Sequence, residues 1–385
     1  MDITIQGEVA TGFEAVKQTF QDLWLDVEVG ASFCAYYQGE KVVDLWGGFT
    51  DPEMTQPWQA DTLVNVYSTT KGMAALALAV LVDEGKLNYA DTVSKHWPEF
   101  GAAGKQNVTV AQMLSHQAGL CGIETRIEVA DLYDWQKMTN LLAAQRPLWP
   151  LGEGTGYHAI TWGYLPGELI RRITGKSLGQ FFNEKIAAPL NADFYIGLPS
   201  SELARCAAMI GPNRARKQPA PGPQVTAPPL FAIAQQNPVI SPFRDVSSSA
   251  WRQAEIPAAN GQANARGIAK IYSSLAMGGQ FQGGQLIGQR ALQAATQLEI
   301  ESPVDRVLNK PMHWARGFMR NRRQEFGPHE QAFGHDGAGG STGFADPIDQ
   351  VAIGYAMNQM RTDGDAVPRA TLLSRIVYDC IAKNL

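Results

Sequence analysis

The sequence predicts an α+β protein, an antiparallel sheet flanked by helices with a mainly helical domain inserted into it. Both ends of the chain are strand-rich and edged by helical patterns, while the middle is dominated by helical spacing. A chain of 385 residues, 45% of them hydrophobic, is long enough to bury a large core split between two or three units. The expected division is a discontinuous α/β domain from residues 1–65 and 270–385. It encloses a mainly helical domain over 66–269, with a cleft at the junction.

Each element has its own signal. Residues 12–27 are amphipathic at helical spacing. Residues 31–37 and 41–46 are β-prone runs around Gln38-Gly39-Glu40, which predicts a hairpin. Residues 71–84 are apolar nearly all round and stop at Gly85, the pattern of a buried helix. Helical spacing also covers 110–115, 132–145 and 162–174, and Ser177-Leu-Gly-Gln180 is a capping box opening a helix over 178–188. Residues 212–242 hold eight of the 22 prolines and read as a long irregular loop over part of the cleft. Val351, Ile353, Tyr355 and Met357 alternate with smaller residues, as in a strand packed on one face. A terminal helix follows at about 368–383.

Composition narrows the function. A net charge of -5 is a poor match to polyanions and argues against nucleic acid as a partner. The basic clusters 214–217 and 320–323 read as solvated loops. Cys34, Cys121, Cys206 and Cys380 are scattered, which fits neither a zinc site nor a disulfide scaffold and suits a reducing compartment. The first residues have no basic and apolar leader pattern, and the longest apolar run, 73–82, is too short to span a bilayer. The expectation is a cytoplasmic protein with no membrane partner. The histidines show no ligand spacing, so neither metal nor cofactor is expected.

Two serines compete as nucleophile. Gly339-Gly340-Ser341-Thr342-Gly343 is formally G-x-S-x-G, a motif that needs a helix after it and a histidine downstream. A strand pattern follows instead, and all six histidines precede Ser341, so the reading is a Gly-rich strand turn. A phosphate-loop reading of 335–343 fails for lack of a terminal Lys-Ser/Thr. Ser68-Thr69-Thr70-Lys71 opens the buried helix. Residues three apart share a helix face, so the Lys71 amine can reach the Ser68 hydroxyl. The helix N-terminus supplies free N–H groups where an oxyanion would form, and burial pushes the lysine toward proton acceptance.

Tyr67-Ser-Thr-Thr-Lys-Gly-Met73, the run to Leu87, 93–100, 108–120, Gly156-Tyr157-His158-Ala159 and Gly334-His335-Asp336-Gly337-Ala338-Gly339-Gly340 follow one another over about residues 30–360. In that order they resemble the penicillin-recognising serine hydrolases, with the closest likeness to class C β-lactamases and the family VIII carboxylesterases. The resemblance implies the β-lactamase/transpeptidase-like fold. Its S-x-x-K element matches Ser68 and Lys71. Of Y-x-N, Tyr157 is kept and the asparagine position is Ala159. Of K-T-G, His335-Asp336-Gly337 keeps only the glycine.

By the resemblance, Ser68, Lys71 and Tyr157 are catalytic, the amides of Ser68 and Ala338 form an oxyanion hole, and His335 and Gly337 bind substrate. Ala159 has no hydrogen-bonding side chain, and His335 is only a part-time cation. Both departures weaken the hold on an anionic β-lactam and favour a neutral ester. The expected activity is therefore a serine carboxylesterase for small to medium esters, through a Ser68 acyl-enzyme. An acyltransferase, a linear-amide hydrolase, a weak β-lactamase and a silent binding protein stay open, as do the oligomeric state and the choice of Lys71 or Tyr157 as base. Trp149, Trp162 and Trp251 are candidates for an apolar pocket or for core.

Overall fold

The computed structural model describes residues 3–23, 28–211, 229–322, 324–361 and 368–384. Among these, nine antiparallel strands form the main sheet: β1 (Gln6–Val9), β2 (Gly30–Tyr37), β3 (Glu40–Gly48), β4 (Ile300–Ser302), β5 (Met312–Trp314), β6 (Met319–Arg320), β7 (Phe333–Asp336), β8 (Thr342–Asp346) and β9 (Val351–Met357). Their spatial order is β1-β3-β2-β9-β8-β7-β6-β5-β4. N- and C-terminal segments therefore meet at β2 and β9 in the middle of the sheet. The hairpin turn is tighter than its sequence suggests. Gln38 and Gly39 both have positive φ, 50° and 80°, and Glu40 already pairs with Tyr37, as a two-residue hairpin turn requires.

The one-faced expectation for the last strand is corrected, because every residue of β9 is buried. Its small residues make room for a second layer. A Cβ at Gly354 would lie 2.2 Å from the Ala265 carbonyl oxygen, so glycine is what lets helix α5 (Ala265–Ala276) rest on the strand. The larger odd-numbered residues point to the opposite face by strand alternation. There Tyr355 bonds Glu28, which pairs with Arg369 of the C-terminal helix α6 (Arg369–Asn384). We keep the two-domain division as a proposal; its boundary at 269/270 falls inside α5, which packs on β2, β8 and β9.

The apolar run forms helix α2 (Thr69–Asp83), buried from Thr69 through Leu81. It packs on β7 and on helix α4 (Tyr164–Thr174), so no face is left for water. At such sites a single Leu→Ala change costs about 2–5 kcal/mol. The other helices are more broken than their spacing suggests. The 132–145 pattern splits into a tight turn, Val129–Tyr133, and helix α3 (Trp135–Ala144), because Asp134 caps the Lys137 amide at 3.0 Å. The 162–174 pattern likewise begins with a tight turn, Thr161–Gly163, before α4. The Ser177–Gln180 capping box forms, and after Leu178–Phe182 the helix widens through Asn183–Ala187.

Helix 12–27 is observed as α1 (Glu14–Asp22), with 24–27 outside the described residues. Of the proline-rich segment, 212–228 lies outside them too, as do the cluster 214–217 and Arg323; the rest includes a short helix, Phe231–Gln235. Arg320 is no solvated loop residue: on β6 it donates to the Thr296 and Glu330 carbonyls at 2.7 and 2.8 Å. No described helix is long and apolar enough to cross a membrane.

Candidate active site

Ser68 stands at the entrance of α2, where sheet and helices meet. A small sheet of Val64–Asn65, Gln262–Ala263 and Phe194–Tyr195 delivers the chain to it. The turn is tight, because Tyr67 adopts a φ of +45°, a conformation that costs a non-glycine residue about 1–3 kcal/mol unless its surroundings impose it. Those surroundings are hydrogen bonds: Val66 N to the Gly261 carbonyl at 2.9 Å, Thr70 Oγ1 to the Tyr67 carbonyl at 2.5 Å, and Gly261 N to Thr70 Oγ1 at 2.9 Å.

One helical turn on, Lys71 Nζ lies 3.0 Å from Ser68 Oγ, as the i,i+3 spacing requires. The fully buried amine also donates to the carbonyls of Ala159, at 2.8 Å, and Ala258, at 2.9 Å. From the other side Tyr157 Oη lies 2.7 Å from Ser68 Oγ, and Lys71 Nζ sits 4.8 Å from the Tyr157 ring centre. Burial holds the Lys71 ammonium well below the usual lysine range, against a weaker opposing pull from Asp336. Burial also pushes the Tyr157 phenol far up, opposed by its bond to Ser68. The pair therefore favours a neutral amine beside a protonated phenol.

His335, Gly337 and Ala338 line the same cleft as Ser68 and Tyr157. The sequence makes His335 a part-time cation, but burial and then Lys71 hold it down at about 3, so it is neutral through the physiological range. Its Nδ1 donates to the Asp336 carbonyl at 2.6 Å. Gly337 is required by close approach, since a Cβ there would lie 2.2 Å from Ser341 Oγ and 2.4 Å from the Val66 carbonyl oxygen. Neither the Ser68 nor the Ala338 amide donates to an acceptor among the described residues.

The cleft encloses about 560 Å3. Phe231, Ile240, Val246, Trp251, Leu308, Met312, Trp314 and Met319 supply its apolar lining. The described part of the 212–242 segment thus contributes wall residues. Trp251 is anchored by its Nε1 on Asn65 Oδ1 at 2.9 Å. Trp162 is core, donating to the Leu114 carbonyl, and Trp149 lies outside the cleft lining. Ser341 is wholly buried, which excludes it as a nucleophile a substrate could reach.

Sequence reasoning missed Asp305. Its buried carboxylate accepts from Thr155 Oγ1 at 2.8 Å, Tyr157 N at 2.9 Å, and Val307 N and Leu308 N, each at 3.0 Å. It ties the Tyr157 backbone to the loop leading into β5, and no local motif marks it. His158 spends both ring nitrogens on backbone, Nδ1 on the Gly156 carbonyl and Nε2 on Leu120 N.

An antiparallel sheet with flanking helices, and a serine–lysine turn where they meet, mark a hydrolase of the β-lactamase fold. The Beta-lactamase family model matches residues 16–377, and the chain belongs to that family. It is 34% identical over 346 residues to the esterase/beta-lactamase LipL of Mycobacterium tuberculosis, spanning 86% of this chain and 77% of that one. A solved family VIII carboxylesterase is 46% identical, with a TM-score of 0.91 over 98% of this chain and 100% of that one. A penicillin-binding protein homolog from Caulobacter crescentus is 41% identical at a TM-score of 0.89, again over 98% and 100%. The chain is an esterase-like member of this group.

Proposed function

We propose that the protein hydrolyses small to medium neutral carboxylic esters through an acyl-enzyme on Ser68. The observation that carries this is the placement of Ser68 Oγ between Lys71 Nζ and Tyr157 Oη, at 3.0 and 2.7 Å, on the floor of an apolar cleft.

Neutral Lys71 keeps two N–H bonds on the Ala159 and Ala258 carbonyls and turns its lone pair to Ser68. It takes the hydroxyl proton as Oγ attacks the ester carbonyl. The amides of Ser68 and Ala338 receive the developing oxyanion. As the carbon–oxygen bond breaks, Tyr157 gives its proton to the departing alkoxide; the Lys71 ammonium, which holds the proton taken from Ser68, returns it to the phenolate directly or through the entering water, because the acylated Ser68 Oγ carries none. Water, activated by the same pair, then releases the acid and restores Ser68.

The substrate class follows from what the cleft lacks. Ala159 offers no amide and His335 no charge, so neither position holds a substrate carboxylate. Lys310 also lines the cleft, but its charge is countered by Asp336 in the same lining, while the apolar lining rewards apolar groups. The test is peptide mass spectrometry after inactivation with a fluorophosphonate, alongside turnover of a short p-nitrophenyl ester. A phosphonyl adduct on Ser68, with turnover abolished in Ser68→Ala, is the expected result. An adduct elsewhere, or turnover surviving in Ser68→Ala, refutes the reading.

A further inference from the structure

The G-x-S-x-G serine has no part in bond making, yet it is bonded to both halves of the site. Ser341 Oγ lies 2.7 Å from the Val66 carbonyl oxygen and 3.1 Å from Thr69 Oγ1. Its single proton goes to the carbonyl, so Thr69 is the donor in the second bond. These contacts bracket Ser68 in sequence, one just before the turn and one just after. The Ser341 carbonyl meanwhile accepts from Gly337 N at 2.7 Å, and Gly340 N closes the turn onto the Gly337 carbonyl at 3.0 Å. Ala338 lies inside that turn.

We propose that Ser341 is a positioning residue, pinning the strand turn that carries the Ala338 amide to the strained turn that presents Ser68. The inference rests on Ser68 and Ala338 as the two oxyanion donors. Thr69 and Ser341, which bond each other across the gap, are 272 residues apart in the chain, and the two donors are separated to a similar degree. With no Cβ at Gly337, nothing keeps the two segments from closing to hydrogen-bond range. The same bonds help impose the positive φ of Tyr67. Loss of the hydroxyl lets the donors drift apart, which weakens binding of a tetrahedral oxyanion more than binding of a flat ester.

The experiment compares Ser341→Ala, Thr69→Val, Thr69→Ser and the double variant Ser341→Ala/Thr69→Val. Each is assayed for kcat and KM on a short p-nitrophenyl ester, for Ki of an alkylboronic acid that mimics the tetrahedral state, and for Tm. Ser341→Ala should lower kcat by about 10–100-fold and weaken boronate inhibition by a similar factor, with KM changed by no more than about twofold. Thr69→Val should move the same quantities less, and Thr69→Ser, which keeps the hydroxyl, should recover most of that loss. The double variant should lose less than the product of the single losses, because both remove one network.

A folded Ser341→Ala protein with kcat and boronate Ki within about twofold of the parent overturns the proposal. If Ser341→Ala does not fold, the threonine pair decides: equal kcat in Thr69→Val and Thr69→Ser overturns it. Ester turnover surviving in Ser68→Ala is a separate result that removes the acyl-enzyme reading itself.

Discussion

Tyr157→Phe separates proton donation to the leaving group from every other task of the site. The phenol oxygen is 2.7 Å from Ser68 Oγ, while the ring stacks on Trp314 with centres 5.7 Å apart and planes 7° from parallel. Phenylalanine keeps the stack and loses one hydrogen bond, a stability cost of about 0.5–1.5 kcal/mol. General acid catalysis contributes about 10²–10⁴-fold, or about 3–5 kcal/mol of barrier. That contribution is needed only when the leaving alkoxide is strongly basic.

The assay is kcat/KM on two esters of the same short acid, an ethyl ester followed by pH-stat and a p-nitrophenyl ester followed by absorbance. The ethyl ester should fall by about 10³-fold and the p-nitrophenyl ester by about tenfold or less. An equal fall on both esters would refute the assignment and leave Tyr157 as a residue that only orients Ser68.

Lys71→Arg keeps the reach and the N–H donors but puts a permanent charge where the neutral amine stands and cannot lose a proton, so kcat/KM should drop at least about 10³-fold at any pH; a variant regaining activity at high pH would count against Lys71 as base. With Lys71 depressed and Tyr157 raised, kcat/KM should rise with pH through a limb well below the ordinary lysine range. It should then stay level past ordinary tyrosine ionisation. His158 and His335, held at about 4 and about 3 by burial, contribute stability that is fully present above their unfolded value of about 6.5 and lost as pH falls through the folded values. Each should cost about 2 kcal/mol by pH 5 relative to pH 8, and denaturant titrations at the two pH values check this. Gly337→Ala drives a methyl onto Ser341 Oγ and the Val66 carbonyl, so ester turnover should collapse while Lys71→Met, a change inside α2, leaves that turn's geometry intact by crystallography.

What was legible early was local. The Ser68–Lys71 pairing follows from helix geometry alone, since residues three apart share a face whatever packs around them. The buried character of α2, the hairpin and the Ser177 cap are of the same kind. Ordered motifs then placed Tyr157 and the 335–338 strand turn in one family pattern. Local spacing failed where neighbours from far along the chain decide. The small residues of β9 read as the back of a one-faced strand until α5 is seen resting on Gly354.

The sequence by itself determined the fold class, the S-x-x-K motif and the identities of the residues at positions 159 and 335, an alanine with no amide and a histidine with no permanent charge. It did so because these depend on residue identity and near-neighbour geometry. Tertiary structure alone decided the protonation states, because a pKa depends on how much water is removed and which charges remain. Likewise only the fold brings the Ala159 and Ala258 carbonyls to Lys71, Asp305 beneath Tyr157 and Ser341 between Val66 and Thr69. Those contacts join segments whose separation along the chain carries no periodic signal, and hydrogen bonds of about 3 Å exist only once packing has brought their atoms together.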